Sequence, residues 1–442
     1  MNPVIERFFQ VLSEIVPDYK NYLNPPCDPA KFEVIENLIG EELPKAFKEF
    51  YSIADGEPQY SGNLNVALGG RFMSLDEVIA EYGWKNDIIN ENGNYDYDYY
   101  DLCMSYNGNR VKSGIMFHRK WLAIIQSGDT DYFSLDYVPN YEGAKGQIIL
   151  HNVAGDAFVW YDYAPSFEGF ILLVTNLLVE DKIKFRDGYY FETDTYAIGK
   201  SICVLPTDNT QKEKFKNLSP EWLSIFTEYC KSNFREEATL EKLTEIYAMR
   251  WGYYNENSQF QDLTEQLFTD ITPLILLPRL KAIGFSHQIS LSELDFVSKY
   301  LTQIYSLYVS EKNIFQQEDL KIIGNFRCLF ELNIHCGKIE DFSAFLSCKY
   351  LARLTLVSSE KLNLSALSEL KELKILNICA CPNIVDFSPL SDVKNPLNIQ
   401  MTREQFLKAV KYMDKSKITT TDFRNSQGTD AENAIINEWF AK

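Results

Sequence analysis

LFELNI at residues 329–334, LARLTL at 351–356 and LKILNI at 373–378 are three copies of one apolar pattern, L-x-x-L-x-L. Each copy begins 22 residues after the previous one. Two looser copies lie upstream, LKAIGF at 280–285 and IYSLYV at 304–309, and the steps between them and to the next copy are 24 and 25 residues. A near-constant period over this length predicts a stack of short, similar strands in the C-terminal half.

A second apolar block precedes the strand-like copies and predicts a return segment in each repeat. Its copies are DITPL at 270–274, DFSAF at 341–345, LSAL at 364–367 and DFSPL at 386–390. One repeat cannot bury its own apolar face, whereas stacked repeats can. The pattern resembles the leucine-rich repeats of bacterial internalins. We therefore predict an α/β leucine-rich-repeat solenoid at residues 219–442, with helical caps.

The side chains between the leucines are expected on the concave face of such a stack, which repeat proteins use for binding. The alternative is a solvated sheet that binds nothing. The predicted partner-binding residues on this face are Tyr305, Tyr308, Glu331, Asn333, Arg353, Thr355, Lys374 and Asn377. The asparagine that usually forms a ladder inside the stack is replaced by Gly337, Ser359 and Cys381, so a regular ladder is not expected.

The N-terminal half has helices first, strands next and a final helix. Residues 3–50 carry apolar side chains at helical spacing, and residues 60–165 carry short β-type runs broken by Gly, Asn and Asp. WLAIIQ at 121–126 and YFSLDY at 132–137, separated by SGDTD, indicate a hairpin. Residues 166–179 then read as an amphipathic helix. This order predicts an α+β fold.

Four segments of this half match one family in content, order and spacing. They are ELPKAFKEFYSIADGE at 42–57, FMSLDEVIAEY at 72–82, WLAIIQSGDTDYFSLDY at 121–137 and GQIILHNVAGDAFVWYDYAPSFEGFILLVTNLL at 146–178. Through them, residues 30–180 resemble the SUKH superfamily of SMI/KNR-type immunity proteins. The resemblance implies a SUKH-like α+β domain with an antiparallel sheet, flanking helices and a protein-binding surface, and it implies no catalytic motif. Bacterial members look like inhibitors of co-expressed toxins.

A polar stretch, KSICVLPTDNTQKEKFKN at residues 200–217, marks the predicted boundary between the halves. We predict the SUKH-like domain at residues 1–200, a linker at 201–218 and the repeat domain at 219–442. The two halves are therefore expected to fold around separate cores.

The acidic charge of the chain is concentrated in the first half. Residues 1–200 hold 31 acidic and 16 basic side chains, a net charge of −15, whereas residues 201–442 hold 31 and 27, a net charge of −4. A strongly acidic domain repels nucleic acid and attracts basic partners. The alternative is that the charge only maintains solubility.

Tyrosine and carboxylate side chains alternate in NYDYDYYD at residues 94–101, and two more carboxylates lie in the predicted hairpin turn. Tyrosine offers rigid contact area and aspartate offers charge, which suits the binding of a basic protein. The alternative is a solvated loop or edge strand. The predicted partner-binding residues here are Tyr95, Asp96, Tyr97, Asp98, Tyr99, Asp101, Asp129 and Asp131.

The remaining patterns concern location and metal binding. Residues 1–10 lack the basic and apolar regions of a secretory signal, and no apolar run approaches a membrane span, so we expect a cytoplasmic protein without membrane contact. The 9 cysteines are scattered, which disfavours a disulfide scaffold. The C-x-C of Cys379 and Cys381 lacks further ligands at metal spacing, so no metal or cofactor is predicted.

The predicted function is non-catalytic protein binding. The sequence contains no nucleophile elbow, phosphate loop, zincin motif or dinucleotide fingerprint. We predict a bacterial toxin-immunity protein that neutralises a cognate basic toxin by direct binding. One alternative is a regulatory scaffold that binds partners through its repeats, and another is an enzyme using paired carboxylates at Asp129 and Asp131 or a Cys103–His118 pair. The partner's identity and the oligomeric state stay open.

Overall fold

The structure is a computed structural model that describes residues 2–59, 63–92, 103–105, 109–112, 118–152, 158–186, 190–202, 209–246, 252–254, 260–262, 270–285, 289–310, 315–424 and 427–441. The chain divides into two units, Met1–Val204 and Leu205–Lys442. The N-terminal unit combines helices with a mostly antiparallel sheet, and the C-terminal unit is built on a parallel sheet.

The main sheet of the N-terminal unit has, in the part of the chain that the structure describes, six strands in the order β1-β3-β4-β5-β6-β2. Their bounds are β1 (Arg71–Phe72), β2 (Cys103–Ser105), β3 (Trp121–Ser127), β4 (Asp131–Asp136), β5 (Gln147–Asn152) and β6 (Phe158–Ala164). The strands pair antiparallel from β1 through β6, and β2 pairs in parallel with β6. A separate two-stranded sheet consists of β7 (Lys184–Arg186) and β8 (Tyr190–Glu192). The expected hairpin is present between β3 and β4, with Gly128 in its turn at a φ of +71°, a conformation that glycine adopts without strain.

Helices of this unit surround an aromatic core. Their bounds are α1 (Pro3–Ile15), α2 (Ala30–Ile39), α3 (Lys45–Tyr51), α4 (Leu75–Asn92), α5 (Phe167–Val179) and α6 (Thr195–Ile202). Helix α1 begins at a side-chain cap, because Asn2 Oδ1 accepts a hydrogen bond from the Val4 N–H at 2.8 Å. The Phe50 ring on α3 lies 4.6 Å from the Phe72 ring and 5.7 Å from the Phe167 ring, measured between centroids. This contact joins α3, α5 and β1 in one core.

A buried carboxylate fixes the loop that leads into β1. Glu57 is 0% exposed, and its oxygens accept hydrogen bonds from the backbone N–H groups of Leu64 at 2.6 Å, Asn65 at 2.8 Å and Phe72 at 3.3 Å. Burial raises the pKa of Glu57 to about 7. The preceding Gly56 has a φ of +68°, and a Cβ there would lie 2.5 Å from the carbonyl oxygen of Phe72. The turn therefore requires glycine at this position.

The segment predicted to be a linker, residues 201–218, contains a helix. Helix α7 (Asn209–Lys216) lies inside it. Phe215 and Leu218 pack against the apolar core of the C-terminal unit. From the start of α7 onward, the described part of this segment therefore belongs to the C-terminal unit, because its apolar side chains cover part of that core.

The C-terminal unit has seven parallel strands that follow one another across the sheet in chain order, counted over the described residues. They are β11 (Ala282–Phe285), β12 (Ser306–Val309), β13 (Glu331–Gly337), β14 (Arg353–Ser358), β15 (Ile375–Ala380), β16 (Leu397–Gln400) and β17 (Ile418–Thr420). Strands β11 to β15 overlap the five L-x-x-L-x-L copies, as predicted. A further small sheet pairs β9 (Gly252–Tyr254) with β10 (Phe260–Asp262).

Short helices return the chain from one parallel strand to the next. They are α10 (Leu291–Tyr300) and the 3-10 helices Asp319–Asn325, Ser343–Phe345, Ser365–Glu369 and Ser388–Asp392, with a further 3-10 helix, Thr272–Leu276, before β11. Each of the four copies of the second apolar block overlaps one of these 3-10 helices. Helices α8 (Pro220–Phe234) and α9 (Leu240–Glu245) precede the sheet, and α11 (Arg403–Ala409) and α12 (Asp430–Phe440) lie near its end. One continuous apolar core runs from Trp222 to Ile436.

Candidate protein-binding surfaces

Strands β12 to β16 turn alternate side chains inward and outward. Leu332 and Leu354 are 0% and 1% exposed, whereas their neighbours Asn333 and Thr355 are partly exposed. Because successive side chains of a strand point to opposite faces, and the strands are in register, the outward side chains form rows across the sheet. We name these two rows the outer face: Ser306, Glu331, Arg353, Ile375, Asn398 and Thr419 form the first row, and Tyr308, Asn333, Thr355, Asn377 and Gln400 form the second.

The first row contains one pair of opposite charges. Arg353 Nη1 lies 3.9 Å from Glu331 Oε1, and Ser306 Oγ donates a hydrogen bond to Glu331 Oε2 at 3.0 Å. Both charged side chains are about 30% exposed, where an ion pair contributes at most about 1 kcal/mol. The pair leaves the row close to neutral.

The second row is polar and uncharged. The Tyr308 ring meets the ring of His335 edge-on, with centroids 5.1 Å apart. Asn377 Oδ1 accepts a hydrogen bond from the Cys379 N–H at 3.1 Å. Hydroxyl and amide groups both donate and accept hydrogen bonds. The row can therefore recognise a partner by hydrogen bonding and shape, and it offers no net charge for attraction.

Two of the residues predicted for this face lie elsewhere. Tyr305 and Lys374 precede their strands, and Tyr305 is only 5% exposed, with its ring centroid 6.3 Å from that of Phe330. In L-x-x-L-x-L the third position, not the second, points outward with the fifth. Ser306 and Ile375 therefore occupy the positions that were assigned to Tyr305 and Lys374.

The polar ladder inside the stack uses serine and cysteine. Ser358, rather than the predicted Ser359, points inward, and its Oγ donates to the carbonyl oxygen of Ile339 at 2.9 Å. In the next repeat, Cys381 Sγ lies 3.4 Å from the carbonyl oxygen of Leu356. Burial raises the pKa of Cys381 to about 11, so the thiol keeps the proton that it donates. These groups take the role of the missing asparagine.

The predicted acidic residues of the N-terminal half differ in how far the structure places them. Tyr95, Asp96, Tyr97, Asp98, Tyr99 and Asp101 lie outside the described residues. Asp129 is exposed at the tip of the β3–β4 turn. Asp131 is partly buried, and its Oδ2 accepts a hydrogen bond from the Tyr196 hydroxyl at 2.8 Å. Asp129 is therefore open to a partner, while Asp131 is engaged within the unit.

Helix α4 presents a surface that the sequence reading missed. Trp84 is 48% exposed, and Asp87 is exposed close to it in the chain. The cation between them points inward, because Lys85 Nζ lies 3.4 Å from Glu81 Oε1 and 4.2 Å from the centre of the Tyr132 ring. Burial lowers the pKa of Lys85 to about 8. The helix thus shows an aromatic ring and a carboxylate to solvent and withdraws its positive charge.

A buried polar row crosses β3, β4 and β5. Asp136 accepts hydrogen bonds from Trp121 Nε1 at 3.0 Å and from Gln147 Nε2 at 2.9 Å. Two residues before Asp136 on β4, Ser134 Oγ lies 2.8 Å from Nε2 of His151 on β5, and both residues are 0% exposed. Because both residues are buried, a substrate cannot reach this serine–histidine contact. The contact therefore has a structural role in the sheet.

As the pH rises from about 4 to 7, we expect the free energy of unfolding of the Asp136→Asn variant to increase relative to that of the unmodified protein. Burial raises the pKa of Asp136 from 3.8 to about 6, so the unmodified folded state binds a proton more tightly than the unfolded state and loses stability across that window. The difference should change by about 2–3 kcal/mol. Urea unfolding of both proteins at pH 4.5 and 7.0 measures it. A constant difference would contradict the prediction; His118, whose pKa burial lowers to about 3, contributes equally to both proteins.

The residues that the structure describes offer no candidate for a metal centre or for a membrane-spanning helix. They contain no group of three or more His, Cys, Asp and Glu side chains arranged to hold a metal ion. They also contain no helix with the length and apolar character that crossing a membrane requires.

Comparison with protein families assigns the first unit. Residues 26–173 match the sequence model of the SMI1 / KNR4 family (SUKH-1). The N-terminal unit contains a SUKH-1 domain. The match runs from before α2 into α5 and so includes the whole six-stranded sheet. The resemblance predicted for residues 30–180 is confirmed, and α1 lies outside the matched region.

Solved structures similar to part of the chain include bacterial internalins and a further leucine-rich-repeat protein. An internalin of Listeria monocytogenes, InlF, is 17% identical over 42% of this chain and 64% of its own, slightly under two thirds of its length, with a TM-score of 0.25. Internalin C2 of the same organism is 18% identical over 42% and 93%, with a TM-score of 0.27. A leucine-rich-repeat protein of Leptospira interrogans is 14% identical over 33% and 50%, with a TM-score of 0.17. A search of curated proteins gives no match. The repeats of the C-terminal unit are defined by their own strand order and register.

Proposed function

We propose that this chain is a non-catalytic protein-binding protein of the toxin-immunity type, whose SUKH-1 domain neutralises a cognate basic toxin by direct binding. The family match of residues 26–173, on a half of the chain with a net charge of −15, carries the proposal. Opposite charge accelerates the encounter of two proteins and excludes partners of the wrong sign. The repeats, as a leucine-rich-repeat solenoid, present the outer face to a protein.

The part of α4 around Trp84 and Asp87 supports a basic partner, although one cation lies beside it: Arg119 Nη1 donates a hydrogen bond to Asn86 Oδ1 at 3.1 Å. Trp84 and Asp87 are open to solvent, and the acidic tyrosine stretch at residues 94–101 follows in the chain. Exposed tryptophan is enriched among the residues that dominate binding energies. Asp129 is a further exposed carboxylate, and no cation of the described residues lies within 4.0 Å of it. We propose Trp84, Asp87 and Asp129, with the predicted acidic tyrosine stretch, as the toxin-binding residues.

Trp84→Ala combined with Asp87→Lys is expected to raise the Kd for the toxin at least about 30-fold, because it removes an aromatic anchor and reverses a charge. The partner to use is the product of the reading frame beside this gene, produced as its isolated basic domain. Calorimetry on the full-length chain gives the Kd, and survival of cells that express the toxin gives neutralisation. Binding by the unmodified chain should weaken as the salt concentration rises from about 50 to 300 mM, because salt screens the attraction between exposed charges.

The control variant is Glu340→Lys, which changes the net charge at an exposed position of the C-terminal unit. It should leave the Kd and neutralisation nearly unchanged. If both variants weaken binding equally, the effect is one of overall charge, and the proposed site on α4 is wrong. Tight binding that ignores salt would remove the electrostatic part of the proposal.

A second candidate function is a regulatory scaffold that binds through the repeats, and the outer face favours it. Its second row exposes hydroxyl and amide groups over five strands. Replacing Asn333 and Asn377 with arginine should abolish partner capture if this face binds, and it should spare neutralisation if the SUKH-1 domain acts alone. Pull-down and the survival assay, run on the same variant, separate the two functions.

A further inference from the structure

Five successive turns of the C-terminal unit carry a cation at one repeat position. Each cation lies four residues before its first-row residue, as the register of β13 to β17 shows. All are exposed: Arg327, Lys349, Lys371, Lys394 and Lys415. Lysine and arginine make up 43 of 442 residues, about one in ten, so composition alone does not produce five in succession. We name these five side chains the cation row.

Three side chains in the middle of the cation row lack a carboxylate partner among the described residues. No carboxylate oxygen of the described residues lies within 4.0 Å of Lys349, Lys371 or Lys394. Other exposed lysines of the unit differ in this respect: Lys299 is paired with Asp295 at 2.5 Å, whereas Lys321 and Lys361 have no carboxylate of the described residues within 4.0 Å. In a chain with 62 acidic and 43 basic residues, cations that stay unpaired are available to an external anion.

A groove of about 320 Å³ opens beside Lys371 and Lys394. Its lining is mixed. The polar side chains are those two lysines with Ser368 and Asn395, and the apolar ones are Leu367, Leu370, Leu373, Val393 and Leu397. An adjoining hollow adds Lys417 and two carboxylates, Glu369 and Asp392. The combination of apolar lining and cationic rim fits a segment that has both an apolar side chain and carboxylates.

We propose that the cation row and its groove form a docking site for an extended acidic segment of another protein, with one aliphatic side chain in the groove. Neighbouring parallel strands lie about 4.8 Å apart, so five cations cover about 19 Å, the length of roughly six extended residues. A single-stranded nucleic acid fits less well, because its bases stack on aromatic side chains, which are scarce along the cation row. Next to the row, at the following repeat position, Tyr350 is the single aromatic residue.

The test measures fluorescence anisotropy of a labelled peptide, EEDLEEDLEE, with the full-length chain at low salt. The triple variant Lys349→Glu, Lys371→Glu, Lys394→Glu should raise the Kd at least about tenfold, since like charges replace three attractive contacts. The matched control reverses three exposed lysines of the same unit outside the row, Lys321, Lys361 and Lys408, and should change the Kd less than threefold. A peptide with serine in place of both leucines should bind at least threefold more weakly.

Three results would overturn the proposal. They are equal loss of binding in the two triple variants, equal affinity for the leucine and serine peptides, and tighter binding of a ten-nucleotide thymidine strand than of the acidic peptide. Far-ultraviolet circular dichroism confirms that both triple variants fold. Failure here leaves the proposed toxin site intact, because that site lies in the other unit and selects the opposite charge.

Discussion

Leu354→Ala is expected to lower the free energy of unfolding of the C-terminal unit by about 2–5 kcal/mol. Leu354 is 1% exposed and lies between Leu332 and Leu376 on the neighbouring strands. Truncation removes its contacts with both and leaves a cavity in the middle of a continuous core. Hydrogen exchange followed by mass spectrometry should show faster exchange in the backbone amides of β13 to β15.

The matched variant is Thr355→Ala, one residue further along the same strand but on the outer face. Its side chain contributes little to the core, so we expect the free energy of unfolding to change by no more than about 0.5–1 kcal/mol. Equal destabilisation by the two variants would show that the strand does not alternate between core and outer face. The same variant gives a folded protein for testing the outer face in binding.

Glu57→Ala is expected to destabilise the N-terminal unit by about 3–5 kcal/mol. The change leaves the backbone N–H groups of Leu64, Asn65 and Phe72 without their acceptor in the interior. An unsatisfied buried donor costs about 1–3 kcal/mol. Hydrogen exchange of peptides from residues 63–72 and from β3 reports the loss within this unit.

Glu33→Ala is the control for this variant, because Glu33 is an exposed carboxylate of the same unit. We expect a change of less than about 0.5 kcal/mol. If the two alanine variants are equally stable, the hydrogen bonds of Glu57 do not hold the loop before β1, and the buried carboxylate has another role.

Much of the fold could be predicted because its repeated elements correspond to repeated patterns in the sequence. Residues 329, 351 and 373 begin repeats at a fixed step, and each repeat contributes one strand to the parallel sheet. The hairpin of β3 and β4 could be predicted from two apolar runs around a Gly-Asp turn. Both patterns are local consequences of strand geometry and turn chemistry.

The sites needed three-dimensional register. Tyr305 and Ser306 are neighbours that both carry a hydroxyl group, and only the pairing of β12 with β13 shows which one faces outward. Lys85 reads as a surface lysine until its contacts with Glu81 and the Tyr132 ring are known. The cation row is difficult to recognise in the sequence because the repeats differ in length. The steps between its members are 22, 22, 23 and 21 residues.

The alternation of the parallel strands separates what holds the C-terminal unit together from what it shows. The eleven side chains of the outer face can change while the leucines beneath them stay apolar and keep the fold. Mutational drift can therefore follow a diverging partner, one surface position at a time, without loss of the scaffold. Related chains should accordingly vary fastest at positions such as Tyr308 and Asn377 and slowest at positions such as Leu332 and Leu376.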